Sequence, residues 1–249
     1  MSKVANKSVT FPMKPPGQAK VWNVVDWMKK DSNEPPIRIS IQEIPEDRYE
    51  DVLDHMCTYF IVDEPICKCM NGAEDPEYVA QFRKTWTMLL NQGLSVGAFA
   101  DNPDGGKPII AGANILGLTF EGETLEELDM HEKEKKIMVA LDELCHEAGV
   151  YKRYGVDRYM SALGLSVHPS FRGAGLGYHL LKARENIGRE YNIQVTSTVF
   201  SSPIAQKLAA RSGFEDLLTK EFKDLVDEKG ELFPNITSKI VKVSAKKLY

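Results

Sequence analysis

Residues 163–184, LGLSVHPSFRGAGLGYHLLKAR, predict a strand, a glycine turn and a helix in immediate succession. The first five residues have the short, mostly apolar profile of a buried strand. Pro169 ends this strand, because proline cannot donate to a sheet ladder. Apolar side chains recur at helical spacing from Tyr178 onward. The glycines of the turn therefore lie at the N-terminus of a helix.

This arrangement predicts a cradle for an anion. A helix N-terminus offers unpaired N–H groups and a partial positive charge. Gly173, Gly175 and Gly177 let the backbone approach an anion closely and adopt positive φ. We therefore expect the loop to bind phosphate or pyrophosphate. An ordinary glycine-rich turn is the alternative, since short motifs also occur by chance.

Three phosphate-binding loops share this general form, and the residues separate them. A Walker-type loop ends in Gly-Lys-Ser/Thr, whereas Tyr178 and His179 follow Gly177 here. A dinucleotide-binding loop has another glycine spacing and an acid after the next strand, which ends here in Phe-Ser-Ser at 200–202. The third is a pantetheine-pyrophosphate loop. The pattern RxxGxG at 172–177, after Val-His-Pro, resembles the coenzyme A motif of the GNAT acetyltransferase superfamily.

The resemblance implies a fold and a co-substrate. The fold class is α/β (mixed α+β), a GNAT-type fold with a mostly antiparallel twisted sheet that splays at the coenzyme A site and is flanked by helices. Acetyl-CoA is the implied co-substrate, and no metal is expected. The residues expected to contact the coenzyme are Leu165, Ser166, Val167, Arg172, Gly173, Ala174, Gly175, Leu176, Gly177, Ser202 and Lys207.

A second motif, Asp63-Glu64-Pro65, follows the first predicted helix. Pro65 disfavours helical backbone at Glu64 and predicts an extended conformation there. A solvated loop acid is one interpretation of Glu64. The triplet also resembles that of the insect arylalkylamine N-acetyltransferases, in which this glutamate is the general base. The resemblance therefore implies the same role for Glu64.

The helix that begins at Ser202 and Pro203 resembles the second coenzyme-binding helix of the superfamily, and both residues suit a helix start. The tyrosine that protonates the leaving thiolate in the superfamily falls on Ala209. The first serine of the insect family matches Ser201, and its second falls on Ala205. Ser201 is thus a catalytic candidate that lacks its usual partner.

Amine acetylation sets three requirements. The amine must lose a proton, because an alkylammonium has no lone pair and its pKa, close to the value of about 10.4 for lysine, lies well above neutrality. Glu64 can accept this proton. The thioester carbonyl must be polarised, and we expect N–H groups at 165–167 to do so where the strand splays. The thiolate has a conjugate-acid pKa of about 8.5, so it leaves without a strong acid. Ser201 and Ser202 are candidates to assist it.

The expected acceptor is a primary amine. The acids Asp63 and Glu64 would attract a cation, and the resemblance implies dopamine, serotonin, tryptamine or related amines. The substrate candidates are Tyr59, Phe60, Asp63, Pro65 and Met160. Core packing is the alternative for the aromatic residues. A non-aromatic amine (a polyamine or agmatine) and a non-catalytic coenzyme A-binding protein remain the rival functions.

Composition limits the other function classes. The chain has 249 residues, a net charge of −5 and 43% hydrophobic residues. This charge disfavours a nucleic-acid partner, which needs a basic face. No apolar run is long enough to span a bilayer. We expect no membrane partner, a cytoplasmic location, four reduced cysteines, and a monomer or weak dimer.

The chain divides into a leader over 1–36 and a single acetyltransferase domain over 37–249. The leader is rich in proline, with a short helix predicted over 21–29, and Trp22 and Trp27 are expected to pack on the body. A charged helix or loop is predicted over 121–136. The other predicted helices are 46–60, 75–92, 137–148, one that starts after the glycine loop, and 203–211. The other predicted strands are 37–44, 95–100, 108–120, 159–167, 193–200 and 236–243.

Overall fold

The computed structural model describes residues 17–29, 35–123 and 132–249. Its main feature is an eight-stranded sheet. The strands are β1 (Val21–Trp27), β2 (Ile37–Glu43), β3 (Val96–Ala100), β4 (Ile109–Phe120), β5 (Arg158–Val167), β6 (Val195–Phe200), β7 (Glu215–Glu221), β8 (Val226–Asp227), β9 (Gly230–Glu231) and β10 (Ile240–Lys247). β8 and β9 form a separate small hairpin.

The sheet order is β1-β2-β3-β4-β5-β6-β10-β7. Every neighbouring pair is antiparallel except β5 and β6, which are parallel. The sheet therefore has two parts, β1 to β5 and β6-β10-β7, and the strands within each part are antiparallel. The two parts are joined by the single parallel pair β5–β6. This architecture confirms the predicted mixed α/β fold with a mostly antiparallel sheet.

Helices cover both faces of the sheet. They are α1 (Tyr49–His55), α2 (Ile61–Asp63), α3 (Pro65–Cys69), α4 (Pro76–Asn91), α5 (Glu132–Ala148), α6 (Val150–Tyr154), α7 (Leu176–Glu190) and α8 (Pro203–Arg211). A π-helical turn over Met56–Phe60 joins α1 to α2, so the helix predicted over 46–60 is present but not uniform. No helix in the described ranges is long and apolar enough to cross a bilayer.

The core has two main parts, one on each face of the sheet. One part contains residues of α1, α4 and α5 with Phe99 and Ile115, and the other contains Leu176, Leu180 and Ile187 of α7. The helices predicted from amphipathic spacing therefore supply the core, although Val139 of α5, expected to face inward, is 37% exposed. Of the charged segment predicted over 121–136, residues 124–131 lie outside the described residues, and α5 already begins at Glu132.

The helix predicted over 21–29 is wrong, because this segment is the edge strand β1. β1 pairs antiparallel with β2, with Val25 opposite Ile39. Its β-branched and aromatic residues favour a strand, and Trp27 is buried against the ring of Phe171 at 5.0 Å. Trp22 also packs on this core, as expected. Residues 1–16 and 30–34 of the predicted leader lie outside the described residues, and the domain boundary stays a prediction.

The C-terminal part differs from the prediction in two ways. The closing strand is β10, shifted four residues later than 236–243, and it lies between β6 and β7. β7 was not predicted at all. Its sequence EDLLTKE has no apolar alternation, and the strand is half-exposed along most of its length at the sheet edge. Pairing with β10, rather than a buried face, holds β7 in place.

Asp75 gives a direct test of this architecture, because its carboxylate caps α4 by accepting from the backbone N–H of Glu77 and Tyr78. Asp75→Ala should lower the free energy of unfolding by about 1 kcal/mol, because these N–H groups lose their acceptor. Urea unfolding followed by circular dichroism measures this change. Asp104→Ala, in the exposed β3–β4 loop, is the control, and equal losses in both variants would contradict the capping role.

Candidate active site

The site is built on a cleft between β5 and β6. The two parallel strands pair at Met160 and Thr196 and then separate. The other edge of β5 stays paired with β4 as far as Val167. The β6-facing edge of residues 163–167 is therefore left without a strand partner, and it can bind a ligand with its own N–H and C=O groups. The predicted splay lies at the predicted place.

Gly164 shapes the floor of this cleft. Its φ is +118°, and the register between β4 and β5 shifts at this level, which marks a bulge. A side chain here would lie 2.6 Å from the methyl group of Met56, so only glycine fits. The Asn114 side-chain amide donates to the Gly164 carbonyl at 2.8 Å.

The glycine loop is open at the N-terminus of α7. Gly173 and Gly175 have φ of +89° and +80°, and a Cβ at either would meet nothing within 4 Å. The backbone N–H groups of residues 173–177 have no acceptor in the part of the chain that the structure describes. Open space, free N–H groups and a 15-residue helix behind them fit a pyrophosphate. Gly177 differs, since its Cβ would lie 3.0 Å from Leu208 of α8.

Arg172 connects this loop to the acidic triplet. Its Nη2 donates to the Asp63 carboxylate at 2.6 Å, and its Nε donates to the Val167 carbonyl at 2.8 Å. Both charged side chains are about half exposed. The Asp63 charge, which was expected to attract the amine, is therefore already balanced by an arginine of the glycine loop.

Glu64 lies at the junction of α2 and α3. Pro65 forces the extended backbone that was predicted, with φ −69° and ψ 127°. The half-buried carboxylate accepts from the Cys67 backbone N–H at 2.7 Å and from the Ser201 hydroxyl at 2.5 Å. One donor therefore holds each oxygen, and the carboxylate keeps further lone pairs for a proton from a ligand.

The two serines at the start of α8 have different environments. Ser201 donates to Glu64, and its carbonyl accepts from the buried Ser238 hydroxyl at 2.5 Å. Ser202 caps α8 and accepts from the Ala205 N–H at 3.1 Å. Ser201 thus binds the Glu64 carboxylate, whereas Ser202 stabilises the start of α8.

A single large cavity contains these groups. Its volume is about 1190 Å³, above the ~300–1,000 Å³ of ordinary ligand pockets. The predicted site residues that line it are Tyr59, Phe60, Asp63, Glu64, Pro65, Leu165, Ser166, Val167, Arg172, Gly173, Gly175, Leu176, Gly177, Ser201 and Ser202. The residues predicted from the sequence thus come from three distant segments, 59–65, 165–177 and 201–202, that meet at one cavity.

Three predicted residues do not line it. Met160 is fully buried and packs in the core on the α7 side of the sheet, because alternation along β5 directs it away from the cavity. Lys207 is exposed on α8, and Ala174 is exposed in the glycine loop. Met160 is therefore a core residue, and the coenzyme roles of Lys207 and Ala174 have no support from the cavity.

Arg184 was not predicted as a site residue, yet it lines the same cavity and is 1% exposed. Its Nε donates to Asn114 Oδ1 at 3.0 Å, and its Nη1 donates to Thr196 and Thr198 at 3.0 and 2.8 Å. Burial lowers the pKa of Arg184 to about 9, so it is still charged at neutral pH. A signal was present, since this arginine falls within the apolar stripe of α7 between Leu180 and Ile187.

His55 was also missed. It is buried beside the rings of Tyr59 and His168, at 5.0 and 6.5 Å. Its Nε2 has no partner among the described residues. Burial, followed by the positive charge that His168 can carry, lowers the pKa of His55 to about 4, although a hydrogen bond to the Ser166 backbone opposes this shift. A neutral imidazole thus supports β5 below the coenzyme loop.

Comparisons with known proteins agree with this geometry. Residues 118–214 match the acetyltransferase (GNAT) family model. A protein from the yellow fever mosquito Aedes aegypti that carries the name arylalkylamine N-acetyltransferase 7 is 27% identical, with a TM-score of 0.84 over 93% of this chain and 96% of that chain. Arylalkylamine N-acetyltransferase 2 from Aedes aegypti is 25% identical, with a TM-score of 0.72 over 85% and 99%.

A Drosophila melanogaster polyamine N-acetyltransferase shares the fold, with 19% identity and a TM-score of 0.67 over 84% of this chain and 99% of that chain. No curated protein sequence matches significantly. The fold and the family match over residues 118–214 indicate a GNAT-type acetyltransferase domain, and the open glycine loop fits the acetyl-CoA that such domains use. The resemblance to the insect arylalkylamine N-acetyltransferases is confirmed at the level of overall structure and modest identity.

The chain contains no candidate metal site of three or more His, Cys, Asp or Glu side chains within residues 17–29, 35–123 and 132–249. All four cysteines are free thiols in the structure, as expected. Burial raises the pKa of the Cys67 thiol well above its ordinary value, with the Glu64 carboxylate as the next cause. Cys67 is therefore a neutral thiol that supplies a backbone N–H to the site.

The Asp63–Arg172 ion pair yields a prediction for coenzyme affinity. Asp63→Asn should tighten coenzyme A binding about 1.4- to fivefold, because an exposed pair of this kind contributes about 0.2–1 kcal/mol and competes with the pyrophosphate. Isothermal titration calorimetry at low and high salt measures the effect. Arg172→Ala should weaken binding, and a weaker Kd for Asp63→Asn would contradict the competition.

His55 yields a prediction for acid stability. The folded-state pKa, about 4, lies below the unfolded value of about 6.5, so the unfolded chain binds this proton first as pH falls. Above pH 6.5 this pKa difference does not affect the free energy of unfolding. By pH 4 it lowers the free energy of unfolding by about 3 kcal/mol. His55→Gln should flatten this part of a stability–pH curve from urea unfolding. The exposed His146→Gln is the control, and unchanged slopes in His55→Gln would refute the assignment.

Proposed function

We propose that this protein transfers the acetyl group of acetyl-CoA to the primary amine of an arylalkylamine, by direct attack on the thioester. The observation that carries the proposal is the Glu64 carboxylate, held by Cys67 and Ser201 at the wall of the cavity. This wall adjoins the unpaired edge of β5. A base and a row of backbone donors thus meet at one ligand-sized space.

Glu64 acts as the general base. The amine arrives as an ammonium and has no lone pair until it gives up a proton. Glu64 accepts this proton directly or through one water. The neutral nitrogen then attacks the thioester carbon and the C–N bond forms. The nitrogen releases its second proton to solvent as the C–S bond breaks with its electron pair on sulfur. Ser201 orients the carboxylate through its hydrogen bond.

The β5 edge stabilises the charge on the thioester oxygen. Residues 165–167 line the cavity and have no strand partner on the β6 side. Backbone N–H groups in this position stabilise the oxyanion without reorganisation. The glycine loop holds the pyrophosphate and fixes the register of the coenzyme arm along β5.

An aromatic acceptor is supported by the rings at the cavity. Tyr59, Phe60 and Phe82 line it. Phe60 and Phe82 pack edge-on against the buried Trp86, with ring centroids at 5.8 and 5.1 Å. Fixed rings of this kind favour a flat aryl group, which packs against them in tilted or offset geometry. Dopamine, serotonin and tryptamine are the first substrates to test.

A non-aromatic polyamine is the second candidate function. Glu123 and Asp142 line the same cavity as further acids. A second cation, as in agmatine, would find a partner there that an arylalkylamine does not need. Glu123→Gln with Asp142→Asn should therefore reduce kcat/KM for agmatine and leave tryptamine unchanged, if the polyamine is the substrate.

The base assignment yields a prediction. Glu64→Gln should lower kcat/KM for a preferred amine by about 10²–10⁴ near neutral pH, because the ammonium loses its proton acceptor. The loss should shrink at high pH, where free amine is abundant. Ser201→Ala should cost about tenfold, as expected for one hydrogen bond to a charged group. Thiol release from acetyl-CoA measures each rate.

Glu74→Gln, an exposed acid just outside the site, is the matched control and should leave the rate unchanged. A panel of aryl amines and polyamines identifies the acceptor. Equal loss in Glu64→Gln at every pH would contradict the base role. If the protein binds acetyl-CoA but acetylates no amine, the proposed enzyme activity is wrong and the protein is a non-catalytic coenzyme A-binding protein.

A further inference from the structure

Arg184 is a buried cation that the acetyl-transfer scheme above does not use. Its side chain lies below the cleft, where β5 and β6 begin to separate, and it bridges Asn114 on β4 to Thr196 and Thr198 on β6. Thr196 in turn donates to the Met160 carbonyl at 2.8 Å. The guanidinium is therefore held by β4 and β6 at the point where β5 and β6 begin to separate, which we call the vertex of the splay.

No described carboxylate balances the charge of this guanidinium. Among the side chains that the structure describes, none forms an ion pair with Arg184. Its Nη2 has no acceptor in these ranges. A buried charge without a partner destabilises a fold, and an apolar residue of similar volume is often as stable or more so. Stability alone therefore does not explain an arginine here.

The vertex lies where the reactive end of a bound coenzyme is expected. The glycine loop at 172–177 lies beyond the open, C-terminal end of β5. A coenzyme whose pyrophosphate binds there extends its pantetheine arm into the cleft, toward Gly164 and the vertex. Arg184 reaches the same level, because its partner Asn114 also donates to the Gly164 carbonyl. The sulfur is at the far end of this arm.

We propose that Arg184 places its positive charge below the coenzyme sulfur and stabilises the thiolate that leaves when the thioester breaks. This inference rests on the proposed acetyl transfer. After Glu64 has accepted the ammonium proton, the neutral amine nitrogen bonds to the carbonyl carbon. The C–S electron pair then moves to sulfur, and the nitrogen releases its second proton to solvent. A cation that is already fixed stabilises the new negative charge without reorganisation.

The proposal accounts for the missing general acid. Ala209 stands where the superfamily has a tyrosine, and α8 therefore supplies no hydroxyl at this position. A thiolate next to a buried cation does not need an immediate proton, because the cation lowers the pKa of its conjugate acid. Arg184 thus stabilises charge where the tyrosine would have given a proton.

The charged groups on the neighbouring elements are engaged elsewhere. On α7, Glu185 accepts from Lys182 at 2.5 Å and from Lys246 of β10. On α8, Arg211 lies over the ring of Tyr178 at 5.6 Å. Toward Arg184 itself, β4 and β6 present only amide and hydroxyl groups. The nearest ring is Phe214, 5.7 Å from the guanidinium carbon.

The test compares coenzyme A with desulfo-coenzyme A on the wild type, Arg184→Met and Arg184→Lys. The ultraviolet absorbance of the thiolate gives the pKa of the bound thiol, and calorimetry gives both affinities. In the wild type, the bound thiol should titrate about one pKa unit below free coenzyme A, a tenfold shift. Arg184→Met should abolish this shift, and Arg184→Lys should retain part of it.

Binding of desulfo-coenzyme A should change less than about threefold in Arg184→Met, whereas kcat for acetyl transfer should fall about 10²-fold. If both coenzymes lose affinity equally and the thiol pKa is the same in wild type and variant, Arg184 only holds the cleft open and the proposal is overturned. If Arg184→Met does not fold, Arg184→Gln, which keeps polar partners but removes the charge, replaces it.

Failure of the proposed function gives a different result. A wild type that binds neither coenzyme overturns both claims. A wild type that binds both coenzymes and acetylates an amine, with an unshifted thiol pKa, overturns the role of Arg184 alone. A shifted thiol pKa without turnover on any amine supports the charge effect and rejects acetyl transfer.

Discussion

The interrupted pairing of β5 and β6 is the constraint on which the site depends. Parallel neighbours in a sheet lie about 4.8 Å apart and saturate each other's backbone groups. Here they meet at Met160 and Thr196 and then part. The polar groups exposed by this separation are partly satisfied by side chains, such as Trp86 Nε1, which donates to the Leu163 carbonyl at 2.8 Å. The remaining edge is available to a ligand.

Two chain segments that are remote in sequence meet at this cleft. The π turn and Pro65 direct the Glu64 carboxylate out of the helical run α1–α3, and the end of β6 presents the Ser201 hydroxyl to it. Ser238 fixes the backbone of Ser201 from the far side. The carboxylate is thus positioned by hydrogen bonds from both sides of the cleft, as the proposed base role requires.

Much of this arrangement could be predicted from local sequence patterns. The strand–glycine–helix order of 163–184 predicted the loop, and Pro65 predicted the extended backbone at Glu64, because these features depend on the backbone limits of glycine and proline. The splay and the role of Glu64 were implied by the resemblance to the acetyltransferase family. Edge strands β1 and β7 could not be predicted equally well, since sheet pairing rather than a local pattern stabilises them. Met160 was predicted to line the pocket, but alternation along β5 directs it into the core on the α7 side of the sheet.

The charged partners were harder still to predict, since their contacts join distant segments. Nothing local to Asp63 indicates that Arg172 binds it, and nothing local to Arg184 indicates that two strands hold it below the cleft. The polar interruptions in apolar stretches, Arg184 on α7 and Asn114 on β4, were the available signals. A charged residue in a buried stripe thus indicates a specific polar environment, and here that environment adjoins the cavity.

Amide hydrogen exchange with and without acetyl-CoA tests most directly the central claim that the β5–β6 cleft is the coenzyme site. The account predicts slower exchange at residues 163–167 and 173–177 on binding, because the coenzyme satisfies N–H groups that otherwise face solvent. The β1–β2 edge should not change. Binding with no protection at these two segments, or with protection confined to other parts of the chain, would contradict the account.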